Sequence, residues 1–292
     1  MKRASYSLGV TSREGITGYL FFLPWILGFA VFTAYPVLYS VYISLNEIQI
    51  SGDGRIQAAW KGLQYYYEAL QVDTVFTVNL FDALLHIACA APVIVIVALV
   101  IALFLSKRYP LRTFFRGVFF LPVIIMSGPV ISDLLGRYSI GLTGDSPLLF
   151  SFMSSLPSFL QSPVFFVLDN LALILWFSGV QILLFIAGLN KVSPELYEAA
   201  AIDGASAWEG FWKITMPHLK PFALLGAVYS IMETANYANL EVNEKIQSHL
   251  HEIGRPYSYS SAMSWIYFLS VLVLLGVAFL LLGGMNRKEE AR

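Results

Sequence analysis

Charged residues are scarce in this chain. Asp, Glu, Lys and Arg make up 13% of its 292 residues, whereas ordinary soluble domains contain about 25%. Hydrophobic residues make up 57%, above the roughly 45–50% of soluble domains, and the mean hydropathy is +0.68. This composition argues against a soluble globular enzyme. It also argues against a disordered chain, which would be rich in charge and poor in apolar residues.

Cysteine and excess basic charge are also missing. The single cysteine, Cys89, excludes a disulfide framework and a cysteine metal site, and we interpret it as a small buried or lipid-facing residue. The formal net charge of −1 argues against a nucleic-acid partner. No G-x-x-x-x-G-K-[ST] phosphate loop occurs, so we do not expect this chain to hydrolyse ATP.

What the chain does contain is long apolar segments. A membrane-spanning helix needs about 20 mostly apolar residues. Six segments meet this requirement: Tyr19–Leu45, Phe81–Leu105, Phe114–Leu135, Leu171–Leu189, Phe222–Leu240 and Ala262–Leu282. They predict an all-α integral membrane protein with six transmembrane helices, formed by residues 18–284 between tails at 1–17 and 285–292.

The basic residues predict the orientation of these spans. Thirteen of the 18 lysines and arginines lie in the two tails and in the second and fourth connections, counting Arg116, which is at the edge of the second connection in the first turn of the third span. Positive residues concentrate on the cytoplasmic side of a membrane. Both termini are therefore predicted to be cytoplasmic, in a multi-pass protein of a bacterial-type plasma membrane.

Two outer loops carry residues that need an interpretation. In the first, "WKGLQYYYEAL" is either a short interfacial helix or a belt of Trp and Tyr at the membrane surface, and we favour the belt. In the fifth, His249 and His251 lie near several glutamates. We interpret these histidines as solvated loop residues and predict no metal site.

The fourth connection, residues 190–221, has strong local structure signals. Ser193 is a suitable N-cap, and Pro194 fits the first helical position. Asp203 and Gly204 predict the end of this helix, because glycine takes the left-handed cap conformation freely. Ser206 and Glu209 form a capping-box pattern for a second helix, which Pro217 and Pro221 are predicted to limit. This hairpin either packs only on its own bundle or protrudes to dock a cytoplasmic partner.

The same connection resembles the EAA loop in the permeases of ABC importers. That signature is Glu-Ala-Ala, three residues, Gly, nine residues, Ile, one residue and Leu-Pro. This chain has Glu198-Ala199-Ala200, Gly204, Ile214 and Met216-Pro217, so Met replaces Leu. Further similarity to the carbohydrate-uptake subgroup lies in "GYLFFLPWILGFAVFTAYPVLYSVYISL" and "LSKRYPLRTFFRGVFFLP". The subgroup's Gly-Gly-Pro stretch before the last span is absent.

The resemblance implies a function and a set of partners. It implies a sugar or oligosaccharide permease that works with a second permease subunit, two ATPase subunits and an extracytoplasmic binding protein. ATP and magnesium would bind to the ATPase subunits, and this chain would hold no cofactor of its own. The loop's first helix would dock on an ATPase through Leu196, Tyr197, Glu198, Ala199, Ala200, Asp203 and Gly204.

Polar side chains within the spans are candidates for a substrate path, because such groups are costly in a membrane. They are Asp133, Trp176, Gln181, Glu233, Asn236 and Tyr237. Helical spacing predicts one shared face for Glu233, Asn236 and Tyr237. The plainer alternative is hydrogen bonding between helices. A second function also remains open: a self-contained secondary transporter or channel that uses Asp133 and Glu233 as ion sites.

Overall fold

The computed structural model describes residues 12–50, 56–106, 114, 117, 154–237, 240–251 and 257–287. The chain divides into two compact units. The first comprises Met1–Asp73 with Ser248–Ile266, and the second comprises Thr74–Gln247 with Tyr267–Arg292.

The described part of the first unit begins with one continuous helix. Helix α1 (Ser12–Phe29) continues through a π-helical segment (Ala30–Ala34) into helix α2 (Tyr35–Leu45). Pro36 lies in the first turn of α2 and lacks the N–H that an α-helix would use there. The π-helical turn, which is wider than an α-helical turn, lies directly before this proline. The helix therefore continues past the proline.

A β-hairpin follows this helix and corrects the all-α prediction. Strands β1 (Asn46–Ile50) and β2 (Ile56–Trp60) pair antiparallel. Their sequences, "NEIQI" and "IQAAW", flank "SGDGR", and Ser-Gly and Asp-Gly pairs between such runs are a turn signal that our sequence analysis missed. A salt bridge of 3.1 Å from Lys61 Nζ to Glu47 Oε2 lies at the base of the hairpin.

The aromatic segment after the hairpin forms a short helix, which was the alternative to the belt favoured from the sequence. Helix α3 (Gln64–Tyr67) leads into a π-helical segment (Glu68–Val72). Tyr65 is buried against the ring of Tyr259, with ring centroids 6.2 Å apart, and the Tyr66 hydroxyl lies 2.7 Å from Ser44 Oγ. These two tyrosines therefore pack within the protein and do not belong to a membrane-surface belt.

The interpretation of His249 as a solvated loop residue is also wrong. Residues Glu241–His251 form helix α11, and the His249 side chain is 4% exposed. Its ring centroid lies 5.6 Å from that of Tyr259. The amphipathic pattern of the helix explains this burial, because Val242, Ile246 and His249 are spaced by four and three residues and are all buried.

The described part of the second unit is built from helices. In chain order they are α4 (Thr74–Ser106), α5 (Ser158–Asp169), α6 (Leu171–Phe177), α7 (Gly179–Leu189), α8 (Pro194–Ile202), α9 (Ala207–Gly210) and α10 (Met216–Ala235). A π-helical segment (Phe211–Thr215) joins α9 to α10. Helices α11 and α12 (Tyr257–Arg287) contribute residues to both units.

Helix α4 is the centre of this unit and packs against α7 and α10. Its buried residues recur every three or four positions, which is the pattern of one helix face. Many of them are alanines, so the neighbouring helices approach closely. One cluster joins the three helices through Ala98, Ala102, Leu105, Ile182, Phe185, Ile186 and Leu219.

Among the described residues, three helices are long and apolar enough to cross a membrane: Phe21–Leu45, Thr74–Ser106 and Tyr257–Gly283. They correspond to the first, second and sixth predicted spans. The fourth predicted span is divided at Ser178 into α6 and α7, and only α7 appears as a shorter apolar helix. Of the third predicted span, only Phe114 and Gly117 are among the described residues.

The close approach of α7 to α10 predicts a specific sensitivity at Gly188. A Cβ atom there would lie 2.7 Å from Phe222 Cδ2 and 2.8 Å from Leu219 Cδ2. We expect Gly188→Leu to reduce the free energy of unfolding by about 1–3 kcal/mol, because the buried Leu219 has to move. Thermal denaturation of the detergent-solubilised chain measures this. Gly276→Leu is the matched control, since nothing lies within 4 Å of its Cβ position. Equal melting temperatures for the two variants would contradict the packing described here.

Candidate functional site

The fourth connection forms a helical hairpin whose first helix is exposed. Helix α8 (Pro194–Ile202) begins as predicted, with Ser193 Oγ accepting a hydrogen bond of 3.3 Å from the Glu195 N–H. The helix contains no buried residue. Ile202 at its end is 87% exposed. Such a helix offers its side chains to solvent and does not pack along the bundle.

The turn after α8 is held by backbone hydrogen bonds. The Ala205 N–H donates to the Ala200 carbonyl at 2.9 Å, and the Gly204 N–H donates to the Ala201 carbonyl at 3.1 Å. This pair of bonds is the Schellman motif. Gly204 has φ +81°, a conformation that costs other L residues roughly 1–2 kcal/mol. The glycine predicted from the sequence is therefore required by the backbone.

The second helix begins with the predicted capping box. The Glu209 N–H donates to Ser206 Oγ at 3.3 Å, and the Ser206 N–H donates to Glu209 Oε2 at 2.9 Å. The hydrogen bond from the Ser206 backbone is the main cause that lowers the pKa of the Glu209 carboxyl. Lys213 Nζ lies 3.4 Å from Glu209 Oε1. These contacts fix the start of α9 on the far side of the elbow.

Pro217 and Pro221 do not limit this helix, contrary to the prediction. Helix α9 passes through the π-helical segment into α10 and reaches Ala235. Pro217 lies in the first turn of α10, directly after the π segment, and Pro221 lies inside the helix. The π segment precedes Pro217 just as another precedes Pro36 in the first unit. The second arm of the hairpin therefore continues directly as the fifth predicted span.

A side-chain contact joins the two arms of the hairpin. The Tyr197 hydroxyl lies 2.7 Å from Thr215 Oγ1, and the Tyr197 ring faces Gly210. Thr215 is buried at the end of the π segment. The sequence analysis placed Tyr197 on a docking surface, and the structure adds this link to the base of α10. Nothing in the local spacing revealed Thr215 as its partner.

The seven residues predicted for the docking surface come together on α8 and its elbow. Glu198, Ala199, Asp203 and Gly204 are exposed, and Ala200 is half-buried. Leu196 is 43% exposed and Tyr197 is 37% exposed. Ala199, Ala200 and Gly204 give this surface small side chains, and Glu198 and Asp203 give it two carboxylates. It is therefore suited to close packing in a groove of a partner that supplies hydrogen-bond donors.

The predicted polar path separates into two groups. Gln181 Nε2 on α7 donates to Ser230 Oγ on α10 at 2.7 Å, and the Gln181 side chain also interacts with the Glu233 carboxyl. Trp176 and Tyr237 instead pack against a separate buried cluster that contains Phe177, whose ring centroid lies 5.8 Å from that of Tyr237. Asp133 lies outside the described residues.

The predicted common face of Glu233, Asn236 and Tyr237 is wrong. Helix α10 ends at Ala235, so the helical spacing does not extend to Tyr237. Asn236 is exposed and turns back, with Nδ2 donating to the Met232 carbonyl at 2.8 Å. At the end of the helix, the Ala235 carbonyl accepts hydrogen bonds from the side chains of Tyr267 and Asn243.

Several polar atoms in this region lack a partner within the described part of the chain. They are Trp176 Nε1, Gln181 Oε1, Glu233 Oε2 and Thr234 Oγ1, and all are buried. Buried polar atoms normally have hydrogen-bond partners, so these atoms are suited to hold hydroxyl groups or water. Sequence reasoning missed Ser230. The Gly226-x-x-x-Ser230 spacing, typical of close helix contacts in membranes, was the signal for it.

The described residues give no sign of a metal centre. No group of three His, Cys, Asp or Glu side chains among them is close enough to hold an ion.

Comparison with known proteins identifies relatives over most of the chain. The arabinooligosaccharide transport permease AraP of Bacillus subtilis is 33% identical over 218 residues, which cover 73% of this chain and 67% of that protein. The probable ABC transporter permease YesP of the same organism is 28% identical over 287 residues, which cover 92% and 90% respectively. No family model matches the chain.

A solved structure has the same fold. A chain of a bacterial ABC transporter involved in import of the acidic polysaccharide alginate aligns with a TM-score of 0.60 at 17% identity. The alignment covers 95% of this chain and 96% of that one.

The contact between Tyr197 and Thr215 predicts energetic coupling. We expect Tyr197→Phe and Thr215→Val, combined in a double-mutant cycle, to show a coupling of about 0.5–1.5 kcal/mol. Hydrogen exchange of the hairpin amides in the full chain measures this energy. Tyr229→Phe combined with Thr215→Val is the control, because 14 residues separate the two positions along α10. A coupling energy as small as that of the control pair would contradict the contact between Tyr197 and Thr215.

The capping box predicts a pH dependence at the start of α9. The lowered pKa of Glu209 means that its carboxylate stabilises this turn fully at pH values above 4.5, the ordinary pKa of a glutamate. That contribution is lost as the pH falls through the lower pKa of the folded state. We expect amide protection at Glu209, corrected for intrinsic exchange, to stay constant from pH 7 to 5 and to fall at lower pH. Glu209→Gln should abolish this dependence, and an unchanged profile in that variant would contradict the assignment.

Proposed function

The chain belongs to the permease subunits of ABC transporters, and we propose that it forms half of the membrane path of a sugar importer. In this proposal it spans the membrane six times with both termini in the cytoplasm. A second permease subunit supplies the other half of the path. Two ATPase subunits bind below it, an extracytoplasmic binding protein delivers the substrate above it, and ATP and magnesium bind to the ATPase subunits.

The observation that carries the proposal is the exposed helix α8 with its rigid elbow. An exposed helix that transmits force needs fixed ends, and the Ser193 cap and the Schellman turn at Gly204 supply them. The Tyr197–Thr215 contact ties α8 to the base of α10. Displacement of α8 by an ATPase therefore reaches the membrane bundle along a continuous helix. We assign the coupling surface to Leu196, Tyr197, Glu198, Ala199, Ala200, Asp203 and Gly204.

The substrate class is proposed from relatives and from the polar groups between α7 and α10. One relative is named as an arabinooligosaccharide permease. Sugars are bound by planar amide and carboxylate groups, and Gln181 and Glu233 supply both types near Ser230. Their unsatisfied oxygens, Gln181 Oε1 and Glu233 Oε2, are free to accept hydrogen bonds from hydroxyls. We therefore propose a sugar or oligosaccharide substrate, with these side chains lining part of its path.

The direct test is ATP hydrolysis in reconstituted vesicles. The chain is co-expressed with the permease and ATPase subunits encoded beside it, and the binding protein and sugar are added. We expect the sugar-loaded binding protein to stimulate hydrolysis in the native complex. Glu198→Lys should abolish assembly or stimulation by reversing a charge on the docking surface. Gly204→Trp should do so because φ +81° strains a non-glycine residue and the indole projects into open space.

Glu244→Lys is the matched control for the charge reversal. Glu244 is exposed on α11, on the opposite side of the membrane in the proposed topology. We expect this variant to assemble and respond normally. Normal stimulation in both hairpin variants would contradict a coupling role for α8. Uptake driven by an ion gradient in vesicles that contain this chain alone would establish a secondary transporter instead.

A further inference from the structure

A serine inside the helix bundle holds the side-chain amide of Gln181. Ser230 on α10 and Gln181 on α7 are both 0% exposed. Gln181 Nε2 donates to Ser230 Oγ at 2.7 Å, and Ser230 Oγ in turn donates to the Gly226 carbonyl at 2.8 Å. Two hydrogen bonds therefore run in sequence from the amide of one helix, through the hydroxyl, to the backbone of the other.

The hydroxyl of Ser230 can form these two bonds in only one sense. A serine hydroxyl carries a single proton. The Gly226 carbonyl accepts that proton, so the hydroxyl oxygen faces Gln181 as an acceptor. A side-chain amide has a donor end and an acceptor end, and only its NH2 end bonds to an acceptor. Ser230 thereby decides which end of the Gln181 amide faces α10.

The packing of Gln181 along α10 supports the same orientation. Gly226, Ser230 and Glu233 are spaced by four and three residues, so they lie on one face of α10. A Cβ atom at Gly226 would lie 3.6 Å from Gln181 Cγ, so the glycine leaves room for the stem of Gln181. The amide beyond this stem also interacts with the Glu233 carboxyl. This contact likewise favours the NH2 end, because a carboxylate only accepts hydrogen bonds.

The oxygen of the amide is left on the side away from Ser230. Gln181 Oε1 is buried and has no hydrogen-bond partner within the described part of the chain. An unpaired acceptor in such a place is costly, and it indicates a position kept for a donor from outside the chain. With the amide reversed, the same position would present an N–H group and would favour a ligand that accepts hydrogen bonds.

We propose that Ser230 is a positioning residue that holds the Gln181 amide with its oxygen toward the sugar path. This inference rests on the proposed function, in which Gln181 lines that path. Ser230 acts through Gln181, because both bonds of its hydroxyl are taken up within the bundle. It sets this part of the path to accept hydrogen bonds, which suits the hydroxyl groups of a sugar.

Nuclear magnetic resonance of the Gln181 amide tests this orientation without sugar or partner subunits. The glutamine side chains of the full chain are labelled with nitrogen-15, the chain is placed in lipid nanodiscs, and Gln181→Met identifies the Gln181 signal. We expect the NH2 protons of Gln181 to exchange slowly with water in the native chain. Ser230→Ala removes the acceptor of one proton, so their exchange should become about three- to tenfold faster.

Transport by the assembled complex tests what the orientation does. The probe is arabinotriose delivered by the binding protein, and both its uptake and ATP hydrolysis are measured in vesicles. We expect Ser230→Ala to lower the sugar taken up per ATP hydrolysed about three- to tenfold, because the amide oxygen no longer faces the path. A serine needed only for helix packing would lower both rates together and leave their ratio unchanged.

Two variants of the same chain serve as controls. Ser178 is also 0% exposed, and its hydroxyl donates to the Leu175 carbonyl at 2.8 Å. Ser178→Ala therefore removes a similar buried hydroxyl whose bond stays within its own turn, and we expect it to leave both the Gln181 signal and the uptake ratio unchanged. Ser230→Thr keeps a hydroxyl that can bond to the carbonyl four residues back, so it should retain the native values of both.

Two results would overturn the assignment. In the first, the NH2 exchange of Gln181 is equally slow in the native chain and in Ser230→Ala, so the serine does not hold the amide. In the second, the exchange becomes faster but the uptake ratio is unchanged, so the amide oxygen does not face the sugar. A native complex that takes up no arabinotriose would instead count against the proposed function, and the exchange measurement would still decide whether Ser230 holds the amide.

Discussion

A backbone N–H or C=O inside a bilayer has no water to bond to, so the chain has to satisfy each of these groups itself. Much of this structure follows from that constraint. At Pro36 and at Pro217 the helix lacks a donor, and in both places a π-helical segment lies just before the proline. At the end of α10 the Ala235 carbonyl accepts hydrogen bonds from two side chains, those of Tyr267 and Asn243.

The same constraint shapes the helical hairpin formed by residues 190–221. Because the helix continues through Pro217, the second arm of the hairpin and the fifth predicted span form one element. The exposed helix α8 is attached to that element by the Gly204 elbow and by the Tyr197–Thr215 contact. This arrangement, with the exposed helix α8 at one end and polar groups such as Gln181 and Glu233 in the bundle, supports the proposal that movement of α8 is transmitted to a membrane path.

Local patterns in the sequence predicted the local structure well. The Ser193 cap, the Gly204 turn and the Ser206–Glu209 box depend on neighbouring residues, and the structure confirms all three. The fourth predicted span did not appear as one long helix, because it is divided at Ser178.

Contacts between residues that are far apart in the chain could not be predicted from the sequence. The pairing of Tyr197 with Thr215 depends on how the elbow folds, and the burial of His249 depends on which face of α11 meets Tyr259. The common face of Glu233 and Tyr237 failed because the helix stops between them. The β-hairpin was missed for another reason: its turn signal was present in "SGDGR", but it lay within a stretch interpreted as a plain loop.

The central claim is that α8 docks on an ATPase, and a cross-link tests it most directly. Cys89 is the only cysteine of the chain, so Cys89→Ser allows a single new cysteine at Ala199. A benzophenone maleimide attached at Ala199→Cys should cross-link this chain to an ATPase subunit in the assembled complex. The same label at Glu244→Cys should not. An intact complex in which the Ala199→Cys label never reaches the ATPase would contradict the account.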